Sequence, residues 1–400
     1  MPITRRTFLE TTAGAALASG AIGRAQGGAD DPLGVRDDFP VTRRGTYLNS
    51  AYITPTPRQV VDVGRRFLEA KSTAPVSLGA MLAERDRVRQ LYATFIGARS
   101  DEVGFLFATT EGENIVVPAL DLKAGDNVVI DDLHYTSSFV LYERLKAEHG
   151  IDVRIVERLE DGSAPVSAFE AVVDGRTRLL SIAWVSHQNG YRHDVAGLAA
   201  LAHAHDAYLY ADAVQAVGMF PIDVRATGID FFTAGTYKWL LGGYGVAPFF
   251  VRRELLDRIR PDRVGFLQID EAAGDGRMFT SAKKFEYATL GFGAIYQLGA
   301  GLEYLERVGV DRIETHAVGL AARLHEGLTA RGLAVLTPAG NGSSIVSFKN
   351  SRPAAEAQGL FDEAGVEVTI REGGTMVRVA PALFNVVADI DRCLEVAGRL

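Results

Sequence analysis

Lys238 stands in Gly235-Thr236-Tyr237-Lys238-Trp239, downstream of an apolar run that ends in Asp212-Ala213-Val214-Gln215. A lysine amine can form an imine with a carbonyl group, and a carboxylate at the mouth of a buried strand can hold a pyridine nitrogen protonated. That is the pair a pyridoxal phosphate (PLP) site requires, with Lys238 for the Schiff base and Asp212 for the ring nitrogen. A lone lysine would be solvated. Tyr237, Trp239 and the following Gly242-Gly243-Tyr244-Gly245 supply the aromatic company that lowers an amine's pKa and readies it for imine formation.

The elements that must position this pair are legible as short apolar runs at 103–107, 128–130, 153–156, 179–185, 207–211, 231–234 and 246–251. Several are followed by amphipathic stretches, such as 195–205, where Leu198, Leu201 and Ala202 share a face. This alternation predicts an α/β fold: a large domain over 47–293 with a mostly parallel seven-stranded sheet covered on both faces. In such sheets ligands bind beyond the carboxyl ends of the strands. From Gly293 the pattern changes to helical runs at 294–308 and 312–331, strands at 344–348, 366–370 and 376–379, and a closing helix at 387–398. A small C-terminal α+β domain over 294–400 is expected.

The strand ends supply further candidates. After 103–107, Thr109-Thr110-Glu111-Gly112-Glu113 opens a helix, where hydroxyls and free N–H groups make an anion site. Ordinary capping, with Thr110 as N-cap and Glu113 three residues on, is the competing reading. After 128–130, Tyr135 can stack on a flat cofactor or simply pack on its loop, while His134 beside it reads as solvated. After 179–185 comes the polar cluster Ser186-His187-Gln188-Asn189, within reach of a ring substituent or substrate. Asp194 beyond it suits an N-cap, and the histidines lack metal-ligand spacing. Gln215 falls on the same side of its turn as Asp212.

Composition narrows the class. A formal charge of −8 without a dense basic tract argues against a nucleic-acid partner. The single cysteine, Cys393, excludes a disulfide framework and a multi-cysteine metal site. At the start, Thr4-Arg5-Arg6-Thr7-Phe8-Leu9 resembles a twin-arginine export motif, followed by an Ala/Gly-rich stretch and Gly23-Arg24-Ala25. Residues 1–25 therefore read as a signal for the twin-arginine machinery, cleaved after Ala25, with 26–46 as a linker and a periplasmic or secreted product. A chance arginine pair in an unstructured start is the alternative. The apolar stretch is too short for stable membrane insertion.

With these positions in hand, the chain from about Tyr47 onward resembles fold type I PLP enzymes of the aminotransferase class V family, among them cysteine desulfurases, isopenicillin N epimerase-like proteins and kynureninases. The likeness is strongest at 108–114, 210–218 and 235–245. It implies Lys238 as the Schiff-base lysine, Asp212 on the pyridine nitrogen, Gln215 on the ring hydroxyl and Tyr135 stacked on the ring. It makes Thr110, with the Glu111 and Gly112 amides, the phosphate cradle, with Tyr237 reaching the phosphate as well. Ser186 and His187 would lie against the cofactor, His187 standing where many relatives have asparagine. Thr289 would reach the phosphate of a neighbouring subunit, which implies a homodimer with shared active sites. Arg378, and less directly Arg371, would clamp the substrate carboxylate of a small amino-acid-like molecule.

Two departures shape the expected reaction. The loop in which desulfurases carry a catalytic cysteine reads Arg371-Glu372-Gly373-Gly374-Thr375 here, and Tyr135 replaces their stacking histidine. The expectation is therefore an epimerase- or transaminase-type reaction at Cα with Lys238 moving the proton. C–S or β-elimination, desulfurase- or kynureninase-like, is the alternative, and a non-catalytic PLP-binding protein the remote one.

Overall fold

The computed structural model describes residues 30–400, so the twin-arginine segment and its cleavage site lie outside the described residues. After a two-residue strand β1 (Thr46–Tyr47), seven strands form one sheet: β2 (Val103–Leu106), β3 (Asn127–Asp131), β4 (Asp152–Val156), β5 (Thr177–Ala183), β6 (Tyr208–Asp212), β7 (Phe231–Thr233) and β8 (Ala247–Val251). Their order is β2-β8-β7-β6-β5-β3-β4, parallel throughout except for β8, which runs against both neighbours. All seven predicted strands are present, shifted by a residue or two at their ends.

Most strands are apolar continuously because both faces are covered. Successive side chains point to opposite faces. Phe105, Val129, Leu180, Leu209 and Phe232 accordingly enter one core, while Leu106, Val128, Leu179, Tyr210 and Phe231 enter another. Helices α1 (Arg58–Thr73) and α2 (Leu78–Phe95) pack on α8 (Phe292–Val308). The sheet's two faces carry α3 (Thr109–Ala119) with α4 (Thr136–His149), and α5 (Val166–Glu170) with α6 (Val195–Ala204) and α7 (Val224–Thr227).

The C-terminal part holds α9 (Val310–Ala330), β9 (Val346–Lys349), α10 (Ala354–Glu363), β10 (Val366–Glu367), β11 (Thr369–Arg371), β12 (Met376–Val379) and α11 (Val387–Ala397). The run expected as one strand over 366–370 is two. Val366–Glu367 pairs in parallel with Thr46–Tyr47, whereas Thr369–Arg371 pairs antiparallel with β12, itself paired to β9. The stretch read as a linker is built into the core: Leu33, Val35 and Phe39 are buried, and Phe39 packs on Phe384 with ring centroids 4.7 Å apart. Among the described residues no helix is long and apolar enough to cross a membrane.

Candidate active site

A cavity of about 210 Å³ opens at the carboxyl edge of the sheet. Its wall takes Phe107 after β2, Tyr135 after β3, Ala183 ending β5, Asp212 ending β6, and Gly235, Tyr237 and Lys238 after β7. The residues expected to act together are thus drawn from five strand ends onto one edge.

Lys238 is 8% exposed, and no group among the described residues bonds its Nζ. Burial pulls its pKa from the ordinary 10.5 down to about 8; Asp212 opposes that fall, and Arg378 and Arg371 add to it. The Asp212 carboxyl is pushed upward, chiefly by burial, against the Val214 N–H that donates to its Oδ1 at 3.0 Å. A carboxylate buried this way is stabilised by a proton-bearing cation placed against it. The lysine turn is tight. Gly235 donates its N–H to Thr109 Oγ1 at 3.0 Å, and a Cβ there would lie 2.8 Å from that same oxygen. Leu241, whose N–H donates to the Lys238 carbonyl at 2.8 Å, is a buried non-glycine residue at φ 60°, a conformation that costs about 1–2 kcal/mol.

The helix end differs from its expected form. Helix α3 starts at Thr109 with Ala108 as N-cap, so Thr110 is inside the first turn. Glu111 is the capping acid, its Oε2 accepting the N–H groups of Phe107 and Ala108 at 2.7 and 3.3 Å. The Glu111 N–H is spent on the Ala108 carbonyl at 3.1 Å. The first N–H groups of a helix have no carbonyl one turn back, which leaves those of Thr109 and Thr110 at the cavity they line. Gly112 is required by packing, since a Cβ would meet Thr233 Oγ1 at 1.8 Å. Glu111 and Gly112 do not line the cavity.

Tyr135 lines the cavity, 44% exposed, edge-on to His187 at 5.1 Å between centroids. His134 is buried rather than solvated. Its Nδ1 accepts the Tyr135 N–H at 2.7 Å, which leaves the proton on Nε2 to donate to Ser181 Oγ at 3.0 Å. Ser181, Ser138 and Tyr142 in turn donate to the Glu113 carboxylate at 2.6, 2.6 and 2.8 Å. Glu113, read as a possible cap, is therefore the centre of a buried network beneath the Tyr135 loop. Tyr244, seen in the sequence only as company for the lysine, stacks on Tyr237 at 4.6 Å and 16°, and both rings line the cavity. Burial raises the Tyr237 hydroxyl to about 12.

Gln215 is in the wall, its orientation fixed by Trp239 Nε1 donating to Oε1 and by Nε2 donating to the Ala51 carbonyl, each at 2.8 Å. One Nε2 hydrogen remains for a ligand. Ser186 is not in the wall: its hydroxyl donates to the Leu133 carbonyl at 3.2 Å and accepts the Gln188 N–H at 3.1 Å. Thr289 is exposed and outside this chain's cavity.

His187 is in the wall, buried, with Nδ1 unpartnered, and its pKa is pushed down to about 2 by burial and by Arg371, Arg378 and Lys238. Its ring is neutral. Its carbonyl accepts from Arg378 Nη1 at 2.6 Å. Arg378 lies just behind this wall, 2% exposed, with Nε unpartnered and its pKa lowered to about 9 by burial and then by Arg371. The other buried arginines among the described residues, Arg85 and Arg89, both reach Glu286, at 3.2 and 2.5 Å. Arg378 has no carboxylate. A buried guanidinium without one is left electrostatically uncompensated.

The donor set fits a flat, anionic, carbonyl-bearing cofactor. It offers a free buried amine, a desolvated carboxylate, a helix end and an aromatic ring around one cavity.

The aminotransferase class-V family model matches residues 46–390. A probable cysteine desulfurase of Methanothermobacter thermautotrophicus is 32% identical over 392 residues, covering 91% of this chain and 98% of its own. Among solved structures, the apo cysteine desulfurase of Thermococcus onnurineus superposes with a TM-score of 0.82 at 24% identity, covering 93% of this chain and 98% of that one. The cystine C–S lyase C-DES, in complex with its reaction product cysteine persulfide, gives 0.84 at 20% identity over 90% and 99%. On the family match and the full-length relative, the chain belongs to the aminotransferase class-V family.

Proposed function

We propose that the protein is a PLP-dependent C–S lyase acting on a sulfur-bearing α-amino acid, with no protein thiol relaying the sulfur. The observation that carries the cofactor assignment is Lys238, a buried amine with no hydrogen-bond or ion-pair partner among the described residues, which shares its cavity with Asp212. The desulfurase relatives support the bond cleaved, over the epimerase- or transaminase-type reaction expected from the missing loop cysteine. That cysteine is absent here in any other guise. Cys393 is fully buried in α11, within the C-terminal core, and burial raises its thiol to about 12. A sulfur acceptor in the chain is therefore lacking, and the sulfur-bearing group leaves the site directly.

Bound PLP supplies an electron sink for the pair released at Cα. Lys238 would hold it covalently, and its Nζ, with a pKa near 8, is placed to take the proton from Cα and hand it to the departing sulfur, which leaves with the C–S electron pair. Asp212 would keep the ring nitrogen protonated, and Gln215 has one Nε2 hydrogen left that would serve the ring hydroxyl. Thr109 and Thr110 hold phosphate at the α3 N-terminus, where the helix dipole favours an anion. Tyr135 would cover the ring face, and Arg378 would receive the substrate carboxylate. The exposed Thr289 suits delivery to a second subunit's site, as in a homodimer. The paired Arg5-Arg6 motif supports export by the twin-arginine route with cofactor already bound.

The test is to purify the protein, record the visible absorption of lysine-bound PLP, and feed it S-substituted cysteines. Release of the sulfur-bearing group is expected, with both signals lost in Lys238→Ala. Solvent deuterium entering at Cα without release of sulfur would return the reaction to epimerisation or transamination.

A further inference from the structure

Arg378 has a neighbour of the same kind. In the β11–β12 pairing Arg378 lies opposite Thr369, and Arg371 is two residues along from Thr369. Opposed residues in a sheet share a face, as do residues two apart on one strand. Arg371 and Arg378 therefore emerge diagonally on the same face. That face meets the loop after β5: on β9, Ser347, opposite Arg378, donates its hydroxyl to the Gln188 carbonyl at 2.5 Å, beside the Arg378–His187 contact.

Arg371 is half-buried, and its side chain has no hydrogen bond or ion pair among the described residues. Every other half-buried arginine there, Arg36, Arg154, Arg178, Arg192, Arg252, Arg263 and Arg307, has a carboxylate within reach. Arg371 is also close enough to act electrostatically on Arg378, His187 and Lys238. Two guanidiniums thus share one sheet face with no acid paired to either, and the neutral His187 ring carries no charge to offset them. One substrate carboxylate compensates only one of the two. In the reading above, the phosphate of the cofactor would be held by the α3 end.

We propose that Arg371 is a specificity residue that binds a second acid group, carried on the side chain of the amino-acid substrate. The inference rests on the C–S lyase reading, in which the acid sits on the group borne by sulfur. A planar, forked guanidinium in a partly desolvated wall favours an oxyanion over its neutral isostere.

Two cysteine thioethers that differ only in this charge make the probe: S-carboxymethyl-L-cysteine and its amide, S-carbamoylmethyl-L-cysteine. Their binding to the PLP-loaded protein is read from the change in cofactor absorption, and thiol release is followed separately. Wild type is expected to bind the acid about tenfold or more tightly than the amide. In Arg371→Met the preference for the acid over the amide should be lost, and Arg371→Lys should restore part of it. Equal binding by wild type, or an equal loss for both probes in Arg371→Met, overturns the inference. Acid preference without thiol release would keep Arg371 and remove the C–S reading. Thiol release from both probes alike would do the reverse, and no binding of either would remove both.

Discussion

Replacing Lys238 by Met keeps the alkyl chain and removes the buried amine. In the unfolded chain that amine titrates near 10.5, whereas burial, aided by Arg378 and Arg371, holds it near 8 in the fold despite Asp212. At about 1.4 kcal/mol per pH unit, carrying the charge inside costs the cofactor-free protein about 3 kcal/mol below pH 8. Between pH 8 and 10.5 the unfolded chain binds the extra proton, so wild-type stability from this group rises with pH across that window. Lys238→Met should therefore be more stable than wild type by up to about 3 kcal/mol at pH 7, with the gap closing as the pH climbs toward 10. Urea unfolding of cofactor-stripped protein measures this, with Trp184 and Trp239, both buried, as reporters. A Met variant no more stable than wild type at pH 7, or a gap independent of pH, would refute the view that Nζ is desolvated and unpaired.

Two further outcomes test the scaffold and the fate of sulfur. Glu286→Gln strips a buried acid from Arg85 and Arg89 and from the Phe105 N–H, and should lower stability by about 3–5 kcal/mol in denaturant melts; a change under 1 kcal/mol would mean water already serves the two arginines. Cys393→Ala should retain the wild-type kcat for C–S cleavage, because the thiol is fully buried in the C-terminal core; loss of turnover in a folded variant would place that sulfur in the reaction.

The strands were legible because buried parallel strands are apolar end to end, and Lys238, Asp212 and Tyr135 were found because chemistry gathers where such strands stop. What escaped had physical causes. Helix α2 is not marked by a clean apolar stripe, since it buries Arg85 and Arg89 on its inner side, and their acid lies some 200 residues away at Glu286. The start of α3 was misplaced because the cap is Glu111 reaching back from inside the helix, not a hydroxyl in front of it. Ser186 looked available because a serine after a strand gives no sign that its hydroxyl will be spent on the Leu133 carbonyl. His134 looked solvated for the opposite reason: its partners, Ser181 and Glu113, come from other elements. The split at Val368 depends on Thr46–Tyr47, which no local pattern can reveal.

That pairing sets the order in which the molecule can be finished. Strand β1 is held by β10, and the segment after it is pinned by Ala380, whose N–H donates to the Leu48 carbonyl at 2.7 Å and whose carbonyl accepts from Ser50. Ala51 then presents the carbonyl that orients Gln215 in the cavity wall. A nascent chain that has made Lys238 and Asp212 but not residue 380 thus lacks the brace for one wall of its own site. Contacts of such sequence separation form late. The wall that Gln215 forms is therefore braced only after β12 has been made, so a site that begins at Lys238 and Asp212 depends for its shape on residues more than 140 positions further along the chain.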